Sequence, residues 1–143
     1  YQNLFTKESI VNKEIDKTVY QVVYERMDNW ELTEDTKLIE GYTCYKAVRK
    51  ELNETSRLKK NKYLVYVAWY TPDIPAPFGP IGSGGLPGLI LRLEKPNLLA
   101  FTAKKIVLNK KRKIEISLPE DGKKITIKER IKLMRKARKV TVD

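Results

Sequence analysis

The sequence contains no histidine and only one cysteine, Cys44. Without an imidazole, Ser–His and Cys–His nucleophile pairs, HExxH zinc sites and imidazole proton shuttles are excluded within this chain. A single thiol cannot form an internal disulfide, so cysteine usage does not indicate the redox compartment. No run approaches the ~20 consecutive apolar residues that span a bilayer. No basic and then apolar leader opens the chain, so a soluble chain whose export signal is already gone is expected. Aromatic residues stop at Phe101. Nucleic-acid readers interleave bases' stacking partners with their cations, so the basic tail beyond Phe101 argues against sequence-specific nucleic-acid binding.

Enough remains to fold. The chain is 41% hydrophobic and 33% charged over 143 residues, a balance that separates it from disordered tracts and coiled coils and predicts one compact domain, 1–143. The formal charge of +11 is unevenly placed. Residues 1–103 hold 14 Lys or Arg against 13 Asp or Glu, and residues 104–143 hold 15 against 5, so the tail carries +10 of the total.

Period-two and β-branched runs dominate. Thr18–Glu25 reads as a strand, and Trp30–Leu32 and Thr36–Glu40 as short strands around a turn at Thr33–Asp35. Beyond Gly41, Tyr42–Arg49 alternates as a strand, with Lys46 interrupting the face shared by Tyr42, Cys44 and Val48. The polar segment Leu52–Lys62 predicts a long hairpin connection into Tyr63–Tyr70, the strongest strand signal in the chain. Thr71–Gly88 holds five of the seven prolines and five of the seven glycines, which excludes helix and central strand. Leu89–Glu94, Leu98–Leu108, Lys113–Leu118 and Lys123–Ile127 predict further strands, with turns at Lys95–Asn97 and Pro119–Gly122. Thr126 and Glu129 have capping-box spacing, and Ile127, Ile131 and Met134 predict one amphipathic helix over Ile127–Arg138 with those residues inward.

Candidate chemistry is sparse. Cys44, in a strand among aromatics and without a partner base, reads as a small core residue. Glu31, Glu34, Asp35, Glu40 and Asp73 show no spacing that pairs two of them for acid–base work, so a carboxylate-based hydrolase is only an alternative. Gly82–Gly88 is glycine-rich after a strand, but no helix pattern and no GK[ST] follows, so it is not a phosphate loop. No catalytic residue, metal ligand or cofactor is predicted, and the expectation is a protein that is not an enzyme.

Gly85-Leu86-Pro87-Gly88-Leu89-Ile90 spells the motif for which the GLPGLI family is named, and the chain resembles that family. Two blocks lead into it: Ile39-Glu40-Gly41-Tyr42-Thr43-Cys44-Tyr45-Lys46-Ala47, and Ala68-Trp69-Tyr70-Thr71-Pro72-Asp73-Ile74-Pro75 with Phe78-Gly79-Pro80. The resemblance covers about Trp30 to Leu93. It implies the later part of a longer exported protein of a Gram-negative periplasm or envelope, and it supplies no catalytic residue or cofactor.

These readings predict a mainly β fold: a curved antiparallel sheet or half-barrel of about seven to nine strands, like lipoprotein carriers by analogy, with one C-terminal helix. The leading functional expectation is a non-enzymatic envelope binding or accessory protein whose partner is an apolar or peptidic ligand, or an envelope protein. Trp30, Tyr42, Tyr66, Trp69, Phe78 and Leu86 are the candidate contacts beside the Thr71–Gly88 loop. The competing reading makes Trp69, Phe78, Leu86 and Ile90 a core beneath an ordered loop. An alternative assigns Lys128, Arg130, Lys132, Arg135, Lys136, Arg138 and Lys139 to contact with an anionic membrane surface or nucleic acid.

Overall fold

The computed structural model describes residues 1–3, 8–25, 27–53, 62–108 and 115–140, with side chains to residue 137. It is mainly β with one C-terminal helix. The strands are β1 (Glu8–Ile15), β2 (Thr18–Glu25), β3 (Glu31–Ile39), β4 (Tyr42–Leu52), β5 (Tyr63–Thr71), β6 (Leu89–Lys95), β7 (Leu99–Thr102) and β8 (Lys123–Thr126), and α1 spans Ile127–Val140. They divide into two sheets, ordered β1-β2-β8 and β3-β4-β5-β6-β7. Two compact units follow: Tyr1–Arg26 with Lys111–Asp143, and Met27–Lys110. Among the described residues no helix is long and apolar enough to cross a membrane.

In the first unit β1 and β2 form a hairpin in full register from Glu8↔Glu25 to Ile15↔Thr18. Its two-residue turn, Asp16-Lys17, has both φ angles positive, at 49° and 60°, the geometry that matches strand twist. β1 is absent from the sequence-based expectation because its apolar residues do not alternate cleanly. β8 pairs with β2 in parallel, Tyr20↔Lys123 to Val23↔Thr126, where an all-antiparallel sheet is expected. The whole second unit lies between these two strands in the chain, a connection long enough to bring them side by side. Gln21 is buried, and its amide donates to the carbonyls of Pro119 at 2.5 Å and Asp121 at 3.1 Å, fixing the turn before β8.

The expected capping box forms at α1: Glu129 N–H donates to Thr126 Oγ1 at 3.2 Å, and Thr126 N–H donates to Glu129 Oε2 at 2.7 Å. The Thr126 N–H, and then its hydroxyl at 2.9 Å, donate to Oε2 and hold the Glu129 carboxyl below its usual range. The inward stripe differs from expectation. Ile127 is exposed, while Arg130, Ile131, Leu133, Met134 and Ala137 are half-buried.

In the second unit the five strands pair antiparallel throughout. Thr33–Asp35 is a bulge inside β3 and not a turn, since the register with β4 shifts between Leu32 and Thr36. The Asn53 N–H donates to Lys62 O at 2.7 Å where β4 and β5 leave the sheet. One expected strand forms only in part, and another does not form among the described residues. Of Leu98–Leu108 only Leu99–Thr102 pairs, and beyond it Ala103 and Ile106 turn onto the sheet as irregular chain. In Lys113–Leu118, residues 113 and 114 lie outside the described residues, and Ile116 and Leu118 are exposed without strand pairing.

Candidate functional site

Two clusters of side chains occupy opposite faces of the five-stranded sheet. One contains Ala47, Tyr66, Ala68, Tyr70, Leu86, Ile90 and Leu93, with Met27, Trp30 and Leu64 against it. The other contains Ile39, Cys44 and Leu91, with Tyr42, Trp69, Leu89, Ala103 and Ile106 against it. Trp69 and Tyr70 are sequence neighbours on β5, so alternation sends them to opposite faces.

The Thr71–Gly88 loop is tied down along its length. Hydrogen bonds between residues two apart, Ala76 N–H to Ile74 O, Phe78 N–H to Ala76 O and Gly88 N–H to Leu86 O, make three turns centred on Pro75, Pro77 and Pro87. A proline at the centre presets φ and loses no needed donor. Leu89 N–H donates to Ile74 O at 3.0 Å and Ile90 N–H to Phe78 O at 2.9 Å, stitching the loop to the start of β6. Met27 enters as a short parallel bridge to Ser83, its N–H donating to Gly82 O and its carbonyl accepting from Gly84 N–H. The indole of Trp30 donates to Met27 O at 3.1 Å and Gly84 O at 2.9 Å. The space beneath is filled: Leu86 is 2% exposed and Ala68 and Leu93 0%.

The six candidate contacts therefore do not meet in one groove. Trp30, Tyr66 and Leu86 join the cluster on the loop's face, Phe78 sits half-buried in the loop, and Tyr42 and Trp69 lie on the opposite face. In the motif Gly85–Ile90, Leu86 and Ile90 are buried, Leu89 is half-buried, and Gly85 and Gly88 carry positive φ.

On the face opposite the loop, register aligns Lys46, Trp69, Arg92 and Thr102 in one row across four strands. The Lys37 ammonium lies 3.8 Å from the centre of the Trp69 ring, a cation–π contact. Burial, then Arg92, lowers the Lys37 pKa from its ordinary value. Arg92 donates through Nε to Glu94 and through Nη1 to Thr102 Oγ1 at 3.1 Å, and its hydrogen bond holds the Glu94 carboxyl below its usual range. Lys46 donates to Asp35 Oδ2 at 2.6 Å and lowers that carboxyl likewise. Around Trp69, Lys46 and Arg92 are thus each paired with a carboxylate, and Lys37 makes no ion pair among the described residues. Sequence reasoning missed Lys37 and Arg92; the available signal was Lys46, the charge interrupting an apolar alternation. Glu31, Glu34, Asp35, Glu40 and Asp73 are not gathered into one cluster, and no group of three or more potential metal ligands occurs among the described residues.

Cys44 is buried, and burial raises its thiol above the ordinary value of 9.0. Burial likewise raises the phenols of Tyr66 and Tyr70 above 10.0. These groups stay neutral in the folded chain after the unfolded chain has begun to release their protons. The stability they contribute is complete below the ordinary thiol pKa and declines as pH climbs through the folded values; Lys37, with its lowered pKa, acts in the opposite sense. Chemical denaturation from about pH 8 to about pH 10.5 is expected to show falling stability, with a shallower fall in Cys44→Ala. A flat profile in the parent protein contradicts this account.

On α1, Lys128, Lys132, Arg135 and Lys136 are exposed, Arg130 is turned inward, and the side chains of Arg138 and Lys139 lie outside the described residues.

Residues 48–92, from β4 to β6 and including the whole Pro/Gly loop, match the model of a family described as a protein of unknown function (Porph_ging). The match spans less than half of the chain, which is similar to that family over the stretch where the loop is stitched to the sheet. No curated protein and no solved structure matches the chain.

Proposed function

We propose that this is a non-enzymatic binding or accessory protein of a bacterial envelope, taking a peptidic ligand on the face of the five-stranded sheet that carries Trp69 and Lys37. The supporting observation is the contrast between the two faces. Beneath the loop the apolar side chains are already buried against one another, so a ligand there would have to displace a core. The other face presents a half-buried indole and one cation in excess of its carboxylates, beside the half-buried Val48, Val67 and Tyr42. An extended peptide with an acidic side chain supplies both the missing counter-charge and the apolar cover. Export and an envelope address rest on the resemblance of Gly85–Ile90 and its preceding blocks to the GLPGLI family.

The test uses the two tryptophans as separate reporters. Trp30→Phe leaves Trp69 as the only indole, and Trp69→Phe leaves Trp30. Titration with a Glu-rich peptide is expected to give a saturable emission change in the first variant and none in the second. Adding Lys37→Met to the first variant is expected to weaken binding about ten-fold, the scale of one charge-assisted hydrogen bond. Equal response to a Lys-rich peptide, or a response carried by Trp30, would sink this reading.

A further inference from the structure

Helix α1 covers its sheet incompletely. None of its described side chains belongs to the buried core, and Ile131, Leu133, Met134 and Ala137 remain half-buried where an amphipathic helix ordinarily seats such residues fully. The space left over is two adjoining cavities of about 200 and 220 Å³. The first is lined by Lys13, Glu14, Ile15, Arg130, Met134 and Ala137; the second shares Ile15 and Ala137 and adds Asp16, Thr18, Tyr20, Leu133 and Lys136. Together they form a groove beside the end of the β1–β2 hairpin, walled mostly by carbon.

A second, independent feature lies in the same place. The Nε of Arg130 is buried and has no hydrogen-bond partner among the described residues. Buried polar groups are almost always partnered, and Glu14, on the same wall, makes no ion pair with it among the described residues. Charged side chains around the groove are Lys13, Arg130 and Lys136 against Glu14 and Asp16, one cation in excess.

We infer that this groove is a binding site for a single-chain anionic amphiphile, whose carboxylate is received by Arg130 and whose hydrocarbon chain lies along Ile15, Leu133, Met134 and Ala137. The chemistry fits in two respects. A guanidinium offers paired N–H donors in one plane, matching the two oxygens of a carboxylate. A chain laid on the carbon wall removes from water the apolar surface that α1 leaves uncovered. The site lies in the first unit and does not depend on the reading of the five-stranded sheet.

The experiment is calorimetric titration of the full chain with sodium decanoate below its micellar range, alongside acetate and decyltrimethylammonium. One decanoate per chain is expected, with acetate and the cationic amphiphile at least ten-fold weaker. Arg130→Gln, which keeps a polar side chain of similar reach, is expected to weaken decanoate at least ten-fold; Arg130→Lys, which keeps the charge and loses the paired donors, is expected to fall between. Lys128→Ala, on the exposed side of α1, is expected to bind as the parent does. Circular dichroism of each variant confirms that α1 is retained. Arg130→Gln binding decanoate like the parent, decyltrimethylammonium binding as tightly as decanoate, or binding only to anionic vesicles and not to monomeric decanoate would each overturn the proposal.

Discussion

Gly88→Ala is expected to destabilise the five-stranded unit by ~3 kcal/mol or more and to lower its melting temperature by roughly 12 °C or more. A Cβ built on Gly88 would stand 2.0 Å from the carbonyl oxygen of Thr71 and 2.6 Å from its carbon. Both are backbone atoms of a fully buried residue at the end of β5, paired with Leu89. No rotamer change relieves such a contact, so either β5 or the start of β6 must move. The φ of 157° adds a conformation that side-chain-bearing residues seldom adopt. Gly41→Ala separates the two contributions. Gly41 has a φ of 81°, yet nothing lies within 4 Å of its Cβ position, so only the left-handed backbone cost of about 1–2 kcal/mol applies. Urea denaturation followed by tryptophan emission reports on this unit, which contains both indoles. Equal losses in the two variants would show that the close approach to Thr71 is not what demands glycine in the motif.

The strands that were legible share one property: their apolar or aromatic residues recur with little interruption, as in Thr18–Glu25, Tyr63–Tyr70 and Leu89–Glu94. The capping box, which is local, was legible as well. What was not legible depends on partners far along the chain. Thr33–Asp35 looks like a turn, but pairing with β4 on both sides absorbs it as a bulge. Lys123–Ile127 reads as one more strand, and nothing local says that its neighbour is β2, running parallel. Ile106 has the pattern of a strand residue and serves instead as a cover for Cys44 and Leu91.

The candidate site shows the same division. Large apolar and aromatic side chains point to Trp30, Tyr42, Tyr66, Trp69, Phe78 and Leu86 as a set, but composition carries no information about which face a residue takes. Only the pairing register separates Trp69 from Tyr66 and Leu86. Cations that gather by cross-strand alignment, Lys37, Lys46 and Arg92, are far apart in sequence and invisible as a run. Arg130 was grouped with the other helix cations because its neighbours are charged; its inward turn follows from the offset of α1 by which Ile127 becomes exposed and Met134 and Ala137 face the sheet.

Leu86→Ala decides whether the motif's leucine is core or ligand contact. Leu86 is 2% exposed and packs with Ala47, Tyr66, Ala68, Tyr70, Ile90 and Leu93. Truncation removes three carbons of buried side chain and leaves a cavity whose walls resist collapse. The Pro75, Pro77 and Pro87 turns fix the loop above, and the paired backbone of β4 to β6 fixes the sheet below. The expected loss is therefore about 3 kcal/mol, within the usual range of ~2–5 kcal/mol for such changes. Leu38→Ala provides the comparison, since Leu38 is 74% exposed on β3 and its truncation is expected to stay within about 0.5 kcal/mol. The same urea denaturation reads both. If Leu86→Ala proves as mild as Leu38→Ala, the loop is not seated on a filled core, and a ligand cavity beneath Thr71–Gly88 becomes the better account of the motif.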